Sequence, residues 1–290
     1  MQLLFIYPLL FIILFHFPLP MAIKKSMSMI CTEKFYIIIL YTIKMGIQDI
    51  DLTIVLATLN EIDNLPQLCF DIDSILKNTK INYQLLFVDD NSSDGTREFI
   101  IEYCNKNKLS KYIFNEYKKS TLIARYQGIN NADGKYIILM DSDLQHPPKY
   151  LLNIYNSLLK NYDIVIASRY VKGGSTGNRK PLRGIISRGA SLMAQLLLKS
   201  SRQVKDPVSC YIGFRKGLKL DIDEGWRGYE VGIFLRASNN NVKIKEIPYR
   251  FAERENGKSK VTSSVKFLRV YIIELLLAKR VEIRNYKTIR

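Results

Sequence analysis

The chain has 290 residues, of which 47% are hydrophobic and 24% charged, enough for one sizeable globular domain with appendages. Its four cysteines are scattered without a CxxC pair or a neighbouring His, which excludes the usual zinc-site and disulfide-framework patterns. The net charge of +16 favours an anionic partner, but it does not distinguish nucleic acid, anionic lipid and phosphorylated substrates.

The N-terminal segment, residues 1–48, begins with an apolar stretch, Met1–Ile23, that carries no charge before Lys24. This stretch has about the 20 residues needed to span a bilayer, and Lys24 and Lys25 would then keep the rest of the chain in the cytoplasm. Alternatively, translation starts at Met45 and the preceding residues are not part of the protein. The sequence leaves both interpretations open.

From Asp51 onward, strand patterns alternate with helix patterns. Short apolar runs rich in β-branched residues predict four buried strands, at Leu52–Leu59, Gln84–Val88, Tyr136–Met140 and Asp163–Ala167. Helical spacing follows at Asn64–Asn78 and later at Arg183–Ser200. This alternation predicts an α/β domain at 49–261, with a mostly parallel central sheet flanked by helices.

Polar residues follow the predicted strands directly. Asp89 and Asp90 end the second, Asp141 ends the third, and Arg169 lies just beyond the fourth. Ligands of open α/β sheets bind outside the carboxyl ends of the strands, so these side chains are expected at a binding site.

The string DSDLQHPP, Asp141–Pro148, is the most informative of these loops. Asp141 and Asp143 are two residues apart beyond a strand end, and Gln145 adds a neutral oxygen. Hard oxygen ligands with few carboxylates suit Mg²⁺ or Mn²⁺ bound together with substrate phosphates. A turn whose acids cap the next helix is the alternative for a bare DxD pair.

The C-terminal part, 262–290, is predicted to be an amphipathic basic helix and tail. Its helix, at about 263–279, contains the run Val270–Ala278 with a single charge, Glu274. This run is too short to span a bilayer. It could lie in a membrane interface with Arg269, Lys279 and Arg280 on lipid phosphates, or simply pack on the domain.

Seven motifs in order resemble the dolichyl-phosphate mannose synthases of glycosyltransferase family two. They are LNEIDNLP (Leu59–Pro66), VDDNSSDGT (Val88–Thr96), DGKYIILMDSDLQHPP (Asp133–Pro148), DIVIASRYVKGG (Asp163–Gly174), ISRGAS (Ile186–Ser191), KDPVSC (Lys205–Cys210) and GKSK (Gly257–Lys260). The resemblance covers most of the chain from Asp51. It implies a GT-A (Rossmann-like) fold and an inverting, metal-dependent transfer of a hexose to a polyprenyl or dolichyl phosphate.

The resemblance also implies roles for individual residues. Donor and phosphate binding would fall to Glu61, Val88, Asp89, Asp90, Asp141, Ser142, Ser187, Arg254 and Lys260. Asp141, Asp143 and Gln145 would hold the divalent cation, and Asp143, Arg169 and Arg183 would form the catalytic set. Because the acceptor phosphate is already anionic, no essential general base is expected.

The chain departs from the family pattern at Ala57 and Leu59, where relatives usually have Pro and an aromatic residue. The expected donor is GDP-mannose, and UDP-glucose is the alternative. A non-catalytic basic module that binds membranes or nucleic acid is the competing class, but the intact metal-ligand set and the lack of an aromatic-basic RNA motif argue against it.

The expected partners are therefore a nucleotide sugar, a lipid phosphate and a membrane surface, without nucleic acid. The chain would reach its lipid through the terminal helix, the N-terminal segment or a membrane partner subunit. The catalytic domain is expected on the cytoplasmic side of the membrane.

Overall fold

The computed structural model describes residues 49–178, 181–223, 228, 230–239, 241–253 and 264–287. The predicted hydrophobic segment 1–48 lies outside these residues, and the three predicted domain boundaries stay predictions. In the described part, no helix is both long enough and apolar enough to cross a membrane.

Seven strands form one sheet in the order β3-β2-β1-β4-β6-β5-β7. They are β1 (Leu52–Thr58), β2 (Tyr83–Asp89), β3 (Lys111–Phe114), β4 (Tyr136–Asp141), β5 (Ile164–Ser168), β6 (Ile212–Arg215) and β7 (Ile244–Pro248). All neighbouring pairs are parallel except the two formed by β6, which runs antiparallel to β4 and β5. The predicted mostly parallel α/β sheet is confirmed.

Helices cover both faces of this sheet. They are α1 (Leu65–Leu76), α2 (Thr96–Lys106), α3 (Thr121–Asn131), α4 (Leu151–Leu158), α5 (Pro181–Leu197), α6 (Val231–Ala237) and α7 (Ser264–Lys287). Short 3₁₀ turns lie at Pro148–Tyr150 and Lys199–Ser201. The C-terminal helix predicted at about 263–279 is present and continues to Lys287.

Two apolar cores lie on opposite faces of the sheet, because successive strand side chains point to opposite sides. On β1, Val55 packs with α3, α5, α6 and α7, whereas Ile54 and Leu56 pack with α1, α2 and α4. Because both faces of the sheet are covered, the sequences of the parallel strands are nearly continuously hydrophobic.

Helix α3 lies very close to the sheet at Gly128. A Cβ added there would be 2.3 Å from Cγ1 of Val55, so any larger residue would push the helix outward. This close approach fixes how deeply the side chains of α3 reach toward the carboxyl edge of the sheet.

Candidate active site at the carboxyl edge of the sheet

The loops after β1 and β2 are bonded to each other. The Asn60 backbone N–H donates to Ser92 Oγ at 2.8 Å, and the Ser93 N–H donates to Asn60 Oδ1 at 2.9 Å. Asn60 and Asn91 have φ of 51° and 71°, a left-handed conformation that Asn adopts more readily than most residues. The two loops therefore form one rigid wall of the edge.

The neighbouring acids Asp89 and Asp90 are held differently. Asp89 is fully buried and accepts bonds from Thr58 Oγ1, from the Ser92 N–H and hydroxyl, and from Arg97 Nε at 2.7 Å. Among the described residues, the Asp90 carboxylate accepts only at Oδ1, from the Lys119 N–H at 2.8 Å and from Asn115 Nδ2, while the Asp90 N–H donates to the Thr58 carbonyl. Asp89 thus holds the loop together, and Asp90 is the acid of the pair whose second oxygen has no bonded partner in the described part of the chain.

Two other predicted donor residues lie on this wall. Val88 is fully buried, and its side chain packs in the core beneath α3. Glu61 is 8% exposed, accepts a bond from Asn64 Nδ2 at 2.7 Å, and has its own N–H bonded to Thr96 Oγ1 at 2.9 Å. Contacts within the protein therefore fix the positions of both residues without a bound ligand.

The predicted metal loop leaves β4 at Asp141 and turns sharply at Leu144, which has φ of 63°. Ser142 Oγ donates to the Ala57 carbonyl at 2.7 Å, which ties the loop to β1. Asp143 is buried and its Oδ1 accepts the Gln145 N–H at 3.2 Å. The amide Nε2 of Gln145 donates to the Ala252 carbonyl at 3.4 Å, which leaves its amide oxygen as a possible ligand.

His146 supports this loop from within. Its Nδ1 accepts the Asp141 N–H at 2.9 Å, and its ring stacks on Tyr211 with centroids 4.9 Å apart. Because Nδ1 is an acceptor, the neutral ring carries its proton on Nε2, which lies 3.6 Å from Asp141 Oδ2. This histidine thus packs beside the predicted metal loop and fixes the backbone at its start.

The residues of the loop fit a divalent cation in their chemistry. Asp141, Asp143 and Gln145 are all oxygen donors on one short loop, and Mg²⁺ or Mn²⁺ commonly completes such a set with substrate phosphate oxygens. No group of three His, Cys, Asp or Glu side chains in the described ranges could hold a metal by itself. The cation would therefore depend on an amide and on the donor for its remaining ligands.

A contact that the sequence analysis missed lies beside this loop. Arg125 on α3 is 4% exposed, and its Nη2 donates to Asp141 Oδ1 at 2.5 Å. Its Nη1 donates to Cys210 Sγ at 3.0 Å, and the Cys210 thiol donates to Glu230 Oε2 at 3.2 Å. The four side chains come from distant parts of the sequence, so no local pattern indicates the cluster.

Glu230 is buried at the start of α6, and burial, partly offset by the charge of Arg125, raises the pKa of Glu230 to about 7. Burial also raises the pKa of Cys210. The Glu230 N–H donates to Glu274 Oε1 of α7 at 3.0 Å, and a Cβ added at Gly228 would lie 1.9 Å from the same oxygen. The segment before α6 is thus seated directly on a carboxylate of the C-terminal helix.

Arg169, predicted to face the acceptor, forms a buried two-pronged ion pair. Its Nε and Nη2 donate to the two Asp206 oxygens at 2.8 and 2.7 Å, and its N–H donates to Asp206 as well. Asp206 is held by Glu246, which accepts the N–H groups of Lys205 and Asp206. Among the described residues, no partner is bonded to Nη1 of Arg169, the side of the fork that is left for an anion.

Tyr170 connects Arg169 to α5. Its ring lies 5.3 Å from the Arg169 guanidinium and 5.2 Å from that of Arg188, and its hydroxyl donates to Ser187 Oγ at 3.0 Å. Arg183 is exposed in the first turn of α5. Ser187 and Arg183 are predicted from the sequence, whereas Tyr170 and Arg188 are not, although the motifs DIVIASRYVKGG and ISRGAS contain them.

Arg254 and Lys260, the other predicted phosphate-binding residues, lie outside the described residues. Of the remaining predicted set, the acids and Gln145 lie on the loops after β1, β2 and β4. Arg169, Arg183 and Ser187 lie on the side of β5 and α5. Both groups of residues lie after strands that end at the carboxyl edge of the sheet.

Comparison with known proteins identifies the family of this chain. Residues 53–226, more than half of the chain, match the model of "Glycosyl transferase family 2". The chain belongs to this family. A family member named dolichol-phosphate mannosyltransferase from Pyrococcus furiosus is 33% identical over 215 residues, covering 74% of this chain and 60% of the relative.

Family members of the same name from Mycosarcoma maydis and Saccharomyces cerevisiae are each 30% identical over 191 residues, covering 64% and 70% of those relatives. This chain therefore spans less than two thirds of the length of the Pyrococcus and Mycosarcoma proteins. Among solved structures, glucosyl-3-phosphoglycerate synthase from Mycobacterium tuberculosis, in complex with Mn²⁺, UDP-glucose and phosphoglyceric acid, matches with a TM-score of 0.60 at 18% identity over 79% of both chains. This likeness establishes the shared GT-A fold.

Proposed function

We propose that this protein transfers a hexose, mannose from GDP-mannose, to a dolichyl or other polyprenyl phosphate with inversion at the anomeric carbon. The observation that carries the proposal is the pairing at one sheet edge of an oxygen-ligand loop with a cluster of guanidinium groups. The names of the three relatives support mannose as the transferred sugar and dolichyl phosphate as the acceptor.

Each side of the edge would bind one substrate. Asp90 would bind the base of the donor through its remaining oxygen, with Glu61 beside the ribose and Asp89 holding the wall. Asp141, Asp143 and Gln145 would hold a divalent cation. When bound, that cation neutralises charge on the diphosphate leaving group.

In the transfer step, an oxygen of the acceptor phosphate attacks C1 of the sugar, and the bond from C1 to the nucleotide diphosphate breaks with its electron pair. Arg169 Nη1, Arg183 and Ser187 would hold the acceptor phosphate, because guanidinium groups bind phosphate oxygens in pairs. The phosphate is already ionised, so no side chain need remove a proton. Catalysis would come from positioning and charge stabilisation.

A lipid acceptor requires access to a membrane surface, and the packed pair α5 and α7 supports this. Tyr271 of α7 donates to the Ala190 carbonyl of α5 at 2.8 Å, so the two helices touch. Both carry exposed large apolar side chains, namely Ile185, Leu192, Leu196, Leu197, Leu268, Ile272, Ile273 and Leu276. Together with the nearby basic residues, these favour peripheral binding from the cytoplasmic side.

The test is a transfer assay with the purified chain, Mn²⁺, and labelled GDP-mannose or UDP-glucose. With dolichyl phosphate present, label from GDP-mannose should enter the organic phase, and dolichol without phosphate should accept none. Transfer from UDP-glucose alone would identify a glucosyltransferase, the alternative that the replacement of the family aromatic by Leu59 leaves open. No lipid-linked label from either donor would refute the proposal.

A further inference from the structure

Arg125 is a buried cation in direct contact with a proposed metal ligand, and the proposed mechanism gives it no role. Its guanidinium is 4% exposed and donates to Asp141 Oδ1. Because the guanidinium charge lies beside Oδ1, a cation that leaves this contact intact is favoured at Oδ2, the carboxylate oxygen away from Arg125. His146 Nε2 lies on that side, 3.6 Å from Oδ2, so the carboxylate is restrained from two directions.

The position of Arg125 is itself fixed from behind. Cys210 Sγ contacts Nη1 at 3.0 Å and donates to Glu230 Oε2, and Glu230 is seated on Glu274 of α7. The helix of Arg125 is also pressed against the sheet at Gly128. The guanidinium therefore cannot swing away from Asp141 without disturbing several packed elements.

A fixed positive charge beside a cation site has a predictable electrostatic effect. It repels a free divalent cation, and this repulsion is strong where little water screens it. The diphosphate of the donor supplies negative charge and oxygen ligands that offset the repulsion. The protein alone should thus bind the cation weakly, and the donor should bring it in.

We propose that Arg125 is a positioning residue that restrains Asp141 to binding the cation through one oxygen and couples cation binding to the arrival of the anionic donor. The inference rests on the metal-dependent donor site of the proposed function. It concerns how this chain holds that site, and it predicts that metal affinity and turnover respond to Arg125 in opposite directions.

The first experiment needs no substrate. Thermal unfolding of the full chain in EDTA is compared for wild type, Arg125→Met, Asp141→Asn and the double variant. The two changes should be non-additive by about 4 °C or more, because each removes the same contact. Additive shifts would show that the contact is not formed, and would overturn the inference.

The second experiment measures binding of Mn²⁺ alone by electron paramagnetic resonance. Arg125→Met should bind at least about tenfold more tightly than wild type, since the repelling charge is gone and Asp141 can use both oxygens. Arg125→Lys keeps the charge and should stay within about threefold of wild type. Arg215→Met, which removes a surface arginine paired with Asp163, is the matched control and should change nothing.

A merely structural role would weaken metal binding and turnover together. Here, kcat of Arg125→Met should fall while the Mn²⁺ affinity rises, and donor should no longer strengthen Mn²⁺ binding as much as it does in wild type. Unchanged or weaker Mn²⁺ binding by this variant, or equal behaviour of the Lys and Met variants, would contradict the inference. If Arg125→Met does not fold, Arg125→Met/Glu230→Gln removes the buried partner charge as well and serves in its place.

Failure of the proposed function is separable from failure of this inference. Non-additive unfolding and tighter Mn²⁺ binding, together with no transfer from any sugar nucleotide by wild type, would retain the role of Arg125 and reject the transferase activity. Conversely, wild-type transfer with additive unfolding would retain the activity and reject the role of Arg125.

Discussion

The two sides of the carboxyl edge of the sheet hold their charged groups differently. On the side of β1, β2 and β4, carboxylates are fixed mainly by backbone N–H groups and hydroxyls, with single guanidinium contacts from Arg97 on α2 and Arg125 on α3. On the side of β5 and α5, Arg169 is fixed by another buried charge, Asp206, in a two-pronged pair. The acidic side can bind a cation without breaking a bond of this kind, whereas the basic side depends on a pair that also stabilises the fold.

The largest effect should come from the acidic side. Asp143→Asn keeps the shape of the side chain but removes the charge that a cation needs, so kcat should fall about a thousandfold with little change in melting temperature. Steady-state kinetics with Mn²⁺ and the lipid acceptor measure this. Asp71→Asn, an acid whose side-chain partner among the described residues is Gln67 of the same helix α1, is the control.

Retained Mg²⁺- or Mn²⁺-dependent turnover in Asp143→Asn would contradict its assignment as a ligand. It would also remove the contrast between the two sides, because the acidic loop would then be structural.

On the basic side, activity and stability should fall together. Arg169→Ala should lower kcat/KM about a hundredfold and cost about 3–5 kcal/mol of unfolding free energy, because Asp206 is left as a buried unpaired charge. The measurements are denaturant unfolding and transfer kinetics. Adding Asp206→Asn to Arg169→Ala should restore much of the stability without restoring transfer.

Arg183→Ala is the contrasting variant on the same side. Arg183 is exposed, so its loss should lower turnover while stability stays within about 0.5 kcal/mol of wild type. Near-normal kinetics in this variant would count against its phosphate-binding role.

The smallest effect concerns pH and Glu230. Its pKa of about 7 in the folded chain exceeds the ordinary value of 4.5, so between these values the folded chain keeps a proton that the unfolded chain releases. Stability therefore falls as pH rises through this window. Relative to Glu230→Gln, which cannot titrate, the melting temperature of wild type should drop by about 5–10 °C between pH 4.5 and 7.

Differential scanning calorimetry across that pH range provides the measurement. Glu98→Gln, an exposed acid on α2, should leave the pH profile of wild type unchanged. A Glu230→Gln profile parallel to wild type would show that Glu230 is not buried as described.

The contrast between the sides also explains what could be predicted from sequence. The loop proposed to hold the metal can be predicted because Asp141, Asp143 and Gln145 are local and follow a buried apolar strand. Strands β1, β2, β4 and β5 were found within one or two residues for the same reason. Hydrophobic pattern and strand-end chemistry are enough where the site is built from one short segment.

The missed features depend on contacts between distant residues. Strand β6 has only four residues, and its antiparallel direction brings the segment before it, rather than the one after it, to the carboxyl edge of the sheet. Asp206 and Cys210 therefore reach this edge from the segment before a strand. The expectation that ligands lie beyond the carboxyl ends of strands does not predict them there. Arg125 reads as an ordinary helix residue, since its partners lie 16 and 85 positions away.

The last helix shows the same limit. Its pattern predicted an end near Lys279, but α7 continues because later residues contact the domain. Glu282 accepts the N–H groups of Lys199 and Ser200, and Asn285 donates to Asp221. These tertiary hydrogen bonds stabilise the last turns of α7, although the sequence of these turns is polar.

The inward carboxylate of Glu274 has a practical consequence for anyone who shortens this protein to improve its handling. Removing α7 would remove more than its exposed apolar surface, since the backbone at Gly228 and Glu230 contacts the Glu274 carboxylate. Without this contact, the positions of Cys210 and Arg125 at the carboxyl edge of the sheet would also be disturbed. Replacing the exposed residues Ile272, Ile273 and Leu276 with polar ones would reduce the exposed apolar surface and leave the buried face of α7 intact.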